Sequence, residues 1–578
     1  MKLTTNSQRI LHELFMQEYQ DNSAYTDEGA FFEKFGAEQV MKVFDLSDEE
    51  VESGVLGAGN DGGCDSIYVL LDGVLMTEDI VNDISTSKDA TIDFIIIQAK
   101  RENSFGEDAI MKWKTTTENL MEIGVDDTEF IGRYNEDLRS AFSLFRNLYV
   151  KLLRRTPKLN IRFFYTTFAT EVHPNVQSQA DELRTKTLEL FPSPKTSVSI
   201  DFWGADRILS AAQAQPEQKI QISLTEPPIN IGNHHDYVTL VNLGKYYRFI
   251  TDEHGDLRKY IFEANVRDYQ GHNAVNQDIQ ASLEAPTVED FWWLNNGITI
   301  LTNEAIPVTT KELILTEPEI VNGLQTSNEI FNYFHSYPNN INLETRNILV
   351  RIIVPESEES RDRIILATNN QTNIPRSSLR ANDPIHRQIE LFFKGRGLYY
   401  DRRKNYYKNQ GKKSSDIVSV SFLAQCLISL ILQKPNYARA RPSTVIAQDE
   451  TYERLFIENQ DLDVFYKSAY LGKKVEHCLK KSNEFTQAQK NDILFYVLLC
   501  VVAKKLETTN ITPKAIKEIN LEYLSDEDIL DSAIQVFAEY DALGGDGKVA
   551  KGPELIDKIM QIASTTERAN IPLVGATV

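Results

Sequence analysis

Residues 57–71 read GAGNDGGCDSIYVLL, and residues 92–101 read IDFIIIQAKR. The first stretch sets Asp61 and Asp65 on a glycine-rich turn that enters an apolar strand. Asp72-Gly73 then supplies a hairpin turn. The second stretch is a core strand ending in two polar residues. Side chains alternate along a strand, so Ile96, Gln98 and Lys100 share one face and Ile95, Ile97 and Ala99 the other. A glutamine and a lysine emerging together from an apolar strand need partners. An aspartate arriving from the neighbouring strand would be one, and Asp65 is so placed. Asp93, five residues before Gln98, falls on the opposite face and reads as a strand-start residue. Asp61 reads as a turn residue.

Working outward, the region to residue 215 opens with helical periodicity at Ile10, Leu11, Leu14 and Phe15. It continues with a helix around Leu138–Leu153, the strand IRFFYTTF and the strand-then-helix VSIDFWGADRILSAAQ. This mixed order predicts an α/β sandwich over residues 1–215. Residues 214–233, with Pro216, Pro227 and Pro228, read as a linker. Residues 234–413 predict an α+β domain and residues 414–578 a mainly helical one. The 578 residues suit an α/β multidomain chain. N-caps are expected at Thr512 and Ser525.

The four cysteines, Cys64, Cys426, Cys478 and Cys500, show no C-x-x-C spacing, so neither a zinc knuckle nor a disulfide framework is expected. The N-terminus carries acids and no apolar core, so it does not read as a signal peptide. The most apolar stretch, Ile417–Leu432, is short of the ~20 residues that cross a bilayer. It reads as a buried helix, and a cytoplasmic protein without membrane contact is predicted.

Hydrolysis of a phosphodiester with the help of a hard cation needs oxygen ligands, which Asp65, the amide oxygen of Gln98 and the carbonyl of Ala99 can supply. An ammonium beside them can orient water and stabilise charge building on the phosphate. Asp65 followed by Gln98-x-Lys100 resembles the core motif of PD-(D/E)XK nucleases, and is most similar to the Gln-x-Lys variant of Mrr-type restriction endonucleases. That resemblance implies a restriction-endonuclease-like fold, Asp65, Gln98 and Lys100 as catalytic residues, and Mg²⁺ or Mn²⁺ as cofactor. It also implies a further ligand, a Glu on the first helix near the metal, for which Glu33 in AFFEKF is the candidate. Gln98 stands where the family usually has an acid, which removes one negative charge from the site.

A second group of phrases covers more of the chain: IFEANVRDYQGHNAVNQDI, FWWLNNGITIL, IVNGLQTSNEIF, LATNNQTNI and LYYDRRKNYY. In this order, over roughly residues 235–415, they resemble the AIPR family, named for abortive-infection phage resistance. The resemblance implies bacterial antiphage defence. Read physically, Arg267, Asn276, Asn295, Asn296, Asn322, Gln325, Asn370 and Gln371 offer amide and guanidinium groups beside strands. Convergent amides would read base edges or bind a nucleotide, whereas isolated Asn-Gly pairs are turns. There is no Walker-type phosphate loop.

The chain holds 61 Lys and Arg against 84 Asp and Glu, a net charge of −23, so a uniformly basic nucleic-acid coat is excluded. One segment departs from this: Arg376–Lys413 has eleven basic and three acidic residues. Arg376, Arg380, Lys394, Arg396, Arg402, Arg403, Lys404 and Lys408 are expected to meet phosphates, with Tyr399, Tyr400, Tyr406 and Tyr407 stacking on bases. The competing reading is a basic face paired with acids elsewhere. Arg139–Arg162 is a second basic stretch, and also a good amphipathic helix.

Together these readings predict a metal-dependent nuclease of antiphage defence acting on nucleic acid, DNA ahead of RNA. A homodimer would suit cutting of both strands. An RNA or tRNA nuclease with the same site, or an inactive nucleic-acid sensor, are the alternatives.

Overall fold

In the computed structural model, the apolar run becomes the central strand of an N-terminal sheet. The structure describes residues 3–569 apart from 23–24, 26, 45, 58, 83–89, 214–218, 231–235, 253–254, 263–273, 285–288, 370–383, 403, 458 and 522–523. The sheet comprises β1 (Ser66–Leu71), β2 (Val74–Leu75), β3 (Thr91–Lys100), β4 (Lys158–Thr167) and β5 (Thr196–Trp203) in the order β2-β1-β3-β4-β5. β1 runs antiparallel to β2 and β3, whereas β3, β4 and β5 are mutually parallel. Asp72 and Gly73, both at positive φ, form the expected turn between β1 and β2.

Helices cover both faces, as the near-continuous apolar character of β3 requires. On one side lie α1 (Asn6–Asp21), α2 (Glu28–Met41) and α3 (Asp48–Ser53). α4 (Glu78–Asn82) follows β2. On the other side lie α5 (Glu107–Leu120), α6 (Glu136–Leu152) and α7 (Pro174–Leu190), and α8 (Ala205–Gln213) returns to the first side. Ile95, Ile97 and Ala99 pack in the core with α1 and α2. Phe94 and Ile96 pack in the core with α5 and α6. Gly36 lets α2 lie close on the sheet, because a Cβ there would stand 2.7 Å from Thr166 Oγ1 and 3.2 Å from Ala99 Cβ. The N-terminal region is thus an α/β/α sandwich.

The expected linker is partly structured. Within 214–233, Lys219–Ser223 is β6 and Ile229–Asn230 is β7. The prolines drew the linker reading, but Ile220 and Ile222 alternate with polar residues and are buried, which is a strand pattern. β6 joins a three-stranded sheet, β10-β11-β6. The larger central sheet has the order β12-β9-β13-β8-β7. Its strands are β8 (Tyr237–Asn242), β9 (Ile298–Leu301), β12 (Glu319–Asn322) and β13 (Asn347–Ile353), with β10 (Glu304–Thr309) and β11 (Glu312–Thr316) between them in sequence.

From residue 417 the chain is largely helical. The apolar stretch is a short strand, Ile417–Ser419, leading into the buried helix Val420–Leu430. It packs with Leu462–Lys481 and Gln487–Leu506 in one extensive core. Thr512 and Ser525 are both N-caps, accepting from the backbone of Ala515 and Asp528. All four cysteines are free and buried. Among the described residues no helix is long and apolar enough to cross a membrane.

Candidate active site

Asp65 enters the sheet one residue before β1, through a bond from its N–H to Ile97 O of 2.9 Å. That ladder bond aims its carboxylate at the end of β3. Asp65 Oδ2 accepts from Gln98 Nε2 at 2.6 Å and from Ala99 N at 2.6 Å. Asp65 and Gln98 are only 5 % exposed. The partner that Gln98 needs is therefore the aspartate of the neighbouring strand. The other amide atom, Gln98 Oε1, is buried with no hydrogen-bond partner.

Burial pushes the Asp65 carboxyl up to about 7; the Ala99 and Gln98 hydrogen bonds and Lys100 act against it, and Asp61 adds to it. Glu33, on α2, is pushed up to about 9 by burial and then by the charges of Asp65, Asp61 and Asp27. Glu33 thus stands within electrostatic reach of the turn, and the carboxylates on this side repel one another. Asp61 is a turn residue, as expected, accepting from Gly63 N at 2.7 Å. Asp93 faces away and accepts from Asn160 Nδ2 at 3.0 Å and Arg162 Nε at 3.1 Å. Among the described residues no group of three or more His, Cys, Asp or Glu side chains is placed to hold a metal ion.

Lys100 is held elsewhere. Its Nζ donates to Asp108 Oδ2 at 2.7 Å, at the start of α5. Burial works against the ammonium, but the bond to Asp108 keeps its pKa above the ordinary value. The sequence reading missed Asp108 and, one turn on, Lys112. The signal for them is the i, i+4 spacing of acid and base in EDAIMKWK, just after the Gln-x-Lys strand.

Part of the basic segment turns inward, at Arg402, Lys404 and Lys408. Arg402 is 7 % exposed and pairs through Nε with Glu390 Oε2 at 3.1 Å. Lys404 reaches Glu50 at 2.8 Å, and Lys408 and Ser414 both reach Asp48. Tyr400 and Tyr407 are core residues, so neither ring can stack on a base. Lys394 and Arg396 are exposed, with the Arg396 guanidinium carbon 3.5 Å from the Phe392 ring centre. Arg376, Arg380 and Arg403 lie outside the described residues. In the second basic stretch, Arg146 makes two 2.6 Å bonds to Asp127.

The amides of the central region divide among local partners. Asn276 Nδ2 donates to Gln325 Oε1 at 2.9 Å, which brings two of them together. Asn295 donates to Phe291 O and Asn322 to Thr368 O, at 2.9 and 2.7 Å, and Asn296 is exposed. Arg267, Asn370 and Gln371 lie outside the described residues.

Residues 262–541 match the family described as AIPR protein. The match takes in β9 to β13 but not β7 or β8, and it extends beyond residue 415 into the helical region. It leaves out the N-terminal sandwich, so Asp65, Gln98 and Lys100 lie outside the part that is AIPR-like. No curated protein and no solved structure matches the chain.

Proposed function

We propose that the chain is a divalent-metal-dependent nuclease of antiphage defence, with a restriction-endonuclease-like N-terminal domain. The AIPR match over residues 262–541 supports the defence role. The observation that carries the chemistry is the paired end of β3, where Asp65 receives both Gln98 and Ala99 at 2.6 Å. Lys100 leaves the same strand on the same face as Gln98.

The residues fit a hard cation. Gln98 Oε1 is a buried oxygen with no donor, and Asp65 and Glu33 are acids raised by burial first, with Asp61 adding to Asp65 and Asp65 and Asp61 adding to Glu33. A divalent ion would satisfy both conditions at once. Asp65, Gln98 Oε1, the Ala99 carbonyl and Glu33 would hold it. When bound, such an ion would supply Lewis acidity toward the phosphate. Asp65 keeps its carboxylate fixed through two N–H donors, so its orientation costs nothing at the moment of reaction. Lys100 neutralises charge building on the phosphate and orients the attacking water.

The test uses purified wild type, Asp65→Ala and Lys100→Ala with plasmid, single-stranded DNA and RNA, with Mg²⁺, Mn²⁺ or chelator. Metal-dependent loss of a substrate with wild type alone supports the reading, and the substrate lost decides between DNA and RNA. Equal cleavage by folded Lys100→Ala would sink it. No cleavage of any substrate by wild type would favour the inactive sensor.

A further inference from the structure

Helix α5 meets the candidate site at three points, through residues four apart. Thr116 Oγ1 donates to Gly62 O at 2.9 Å, fastening the helix to the glycine turn. Lys112 lies across Gly63, where an added Cβ would stand 2.9 Å from Lys112 Cβ and 3.1 Å from Gln98 Oε1. Asp108 holds Lys100. A spacing of four keeps all three on one stripe of the helix. The stripe therefore runs along the turn that carries Asp61 and Asp65 and ends at the candidate catalytic lysine.

Two of the three side chains are committed. Lys112 is exposed and has no ion pair among the described residues. Its stem and the unpartnered Gln98 oxygen both line the space over the Gly63 Cα. A phosphate entering here meets the carboxylates of Asp65, Asp61 and Glu33, and Lys100 is already engaged by Asp108. Entry of an anion then calls for a further cation at the rim. The geometry points to Lys112 as a substrate-binding residue that contacts a phosphate of the nucleic-acid strand next to the scissile bond. This assignment rests on the nuclease reading. It also accounts for Gly63, because a side chain at that position would push the lysine stem off the turn.

Binding can be read without turnover. Full-length wild-type protein in chelator is titrated with fluorescein-labelled duplex DNA, single-stranded DNA and RNA at several salt concentrations, and compared with full-length Lys112→Ala and Lys112→Arg. Loss of one phosphate contact should weaken binding about 3- to 10-fold and flatten the slope of log K against log salt by about 0.9 for duplex or 0.7 for single strands. Lys112→Arg should keep the wild-type slope. In cleaving protein, Lys112→Ala should raise KM more than it lowers kcat. An unchanged slope and KM in a chain that cleaves would overturn the Lys112 assignment and leave the nuclease reading standing. A wild type that neither binds nor cleaves any of the three probes would overturn both. Equal loss with alanine and arginine, at an unchanged slope, would mark a packing role and also overturn it.

Discussion

Replacing His386 with glutamine should remove about 2 kcal/mol of acid sensitivity between pH 7 and pH 5. His386 lies in the helix Pro384–Lys394 and is fully buried. Its Nδ1 is 2.7 Å from the Tyr400 hydroxyl and its Nε2 2.9 Å from the Tyr452 hydroxyl. Burial first, and the nearby Arg402 charge second, push its pKa down to about 3. The native ring therefore stays neutral while the unfolded chain takes up a proton near pH 6.5. A depressed native pKa gives stability that is complete above the unfolded value and is lost as pH falls toward the native one. Each pH unit below about 6.5 costs ~1.4 kcal/mol, which amounts to about 2 kcal/mol at pH 5. A multidomain chain need not unfold in one step. The measure is accordingly local: native-state hydrogen exchange of amides in the helix Pro384–Lys394, corrected for the intrinsic pH dependence. Glutamine will itself cost about 1–3 kcal/mol, because the two tyrosine hydroxyls lose their fitted partner. That loss is common to both pH values and cancels in the difference. A variant whose opening free energy falls as steeply as that of wild type would refute the reasoning, as would an imidazole that titrates near 6.5 in the folded protein.

Gly63→Ala should cost about 1–2 kcal/mol for its positive φ alone, and more once the Lys112 stem is displaced; thermal unfolding and cleavage rate would both fall, and an unaltered protein would mean α5 can move aside. Lys408→Glu should destabilise the contact with Asp48 by roughly 2 kcal/mol, less than a fully buried pair because Lys408 is part-exposed. The compensating Asp48→Lys in the same chain should restore the thermal midpoint, and a double variant weaker than either single one would count against a direct pair.

What could be read from the sequence was local. β1, the Asp-Gly turn and β3 were legible because period-2 apolar runs and turn residues act over a few neighbours. The same holds for the caps at Thr512 and Ser525. The approach of Asp65 to Gln98 followed from those strands, since two adjacent antiparallel strands leave few registers. Less legible were the strands at Ile220 and Ile229, where prolines outweighed a short alternation. The fate of the basic segment was hidden for a different reason. Its partners Asp48 and Glu50 come from the N-terminal sandwich, and no periodicity within residues 376–413 encodes a pairing across that sequence distance.

That long-range pairing changes the meaning of the net charge. α3 is the acidic run DEEVES, and four of its acids face cations or hydroxyls from the rest of the chain. Asp48 meets Lys408 and Ser414; Glu49 meets Ser419 and, at 3.5 Å, Lys473. Glu50 meets Lys404 and Glu52 meets Lys480, each at 2.8 Å. Like charges on one short helix would repel if solvated alone, so these acids are explained by what they dock against. The segment that follows α3 leads directly to the glycine turn. Leu56 N donates to Asp65 O at 2.9 Å. A Cβ at Gly57 would stand 2.8 Å from Gln487 Cβ, on a helix of the AIPR-like part. The turn bearing Asp65 is therefore packed on residues within 262–541, and α3 is held by residues from the same stretch. The candidate site lies outside the family match in sequence and against it in space. The helical region also meets α4 and the start of α6, through Lys551 to Glu78 at 2.5 Å and Gly547 N to Glu136 at 3.3 Å, so α3 and this turn are one of several contacts that tie the sandwich carrying β3 to the rest of the chain.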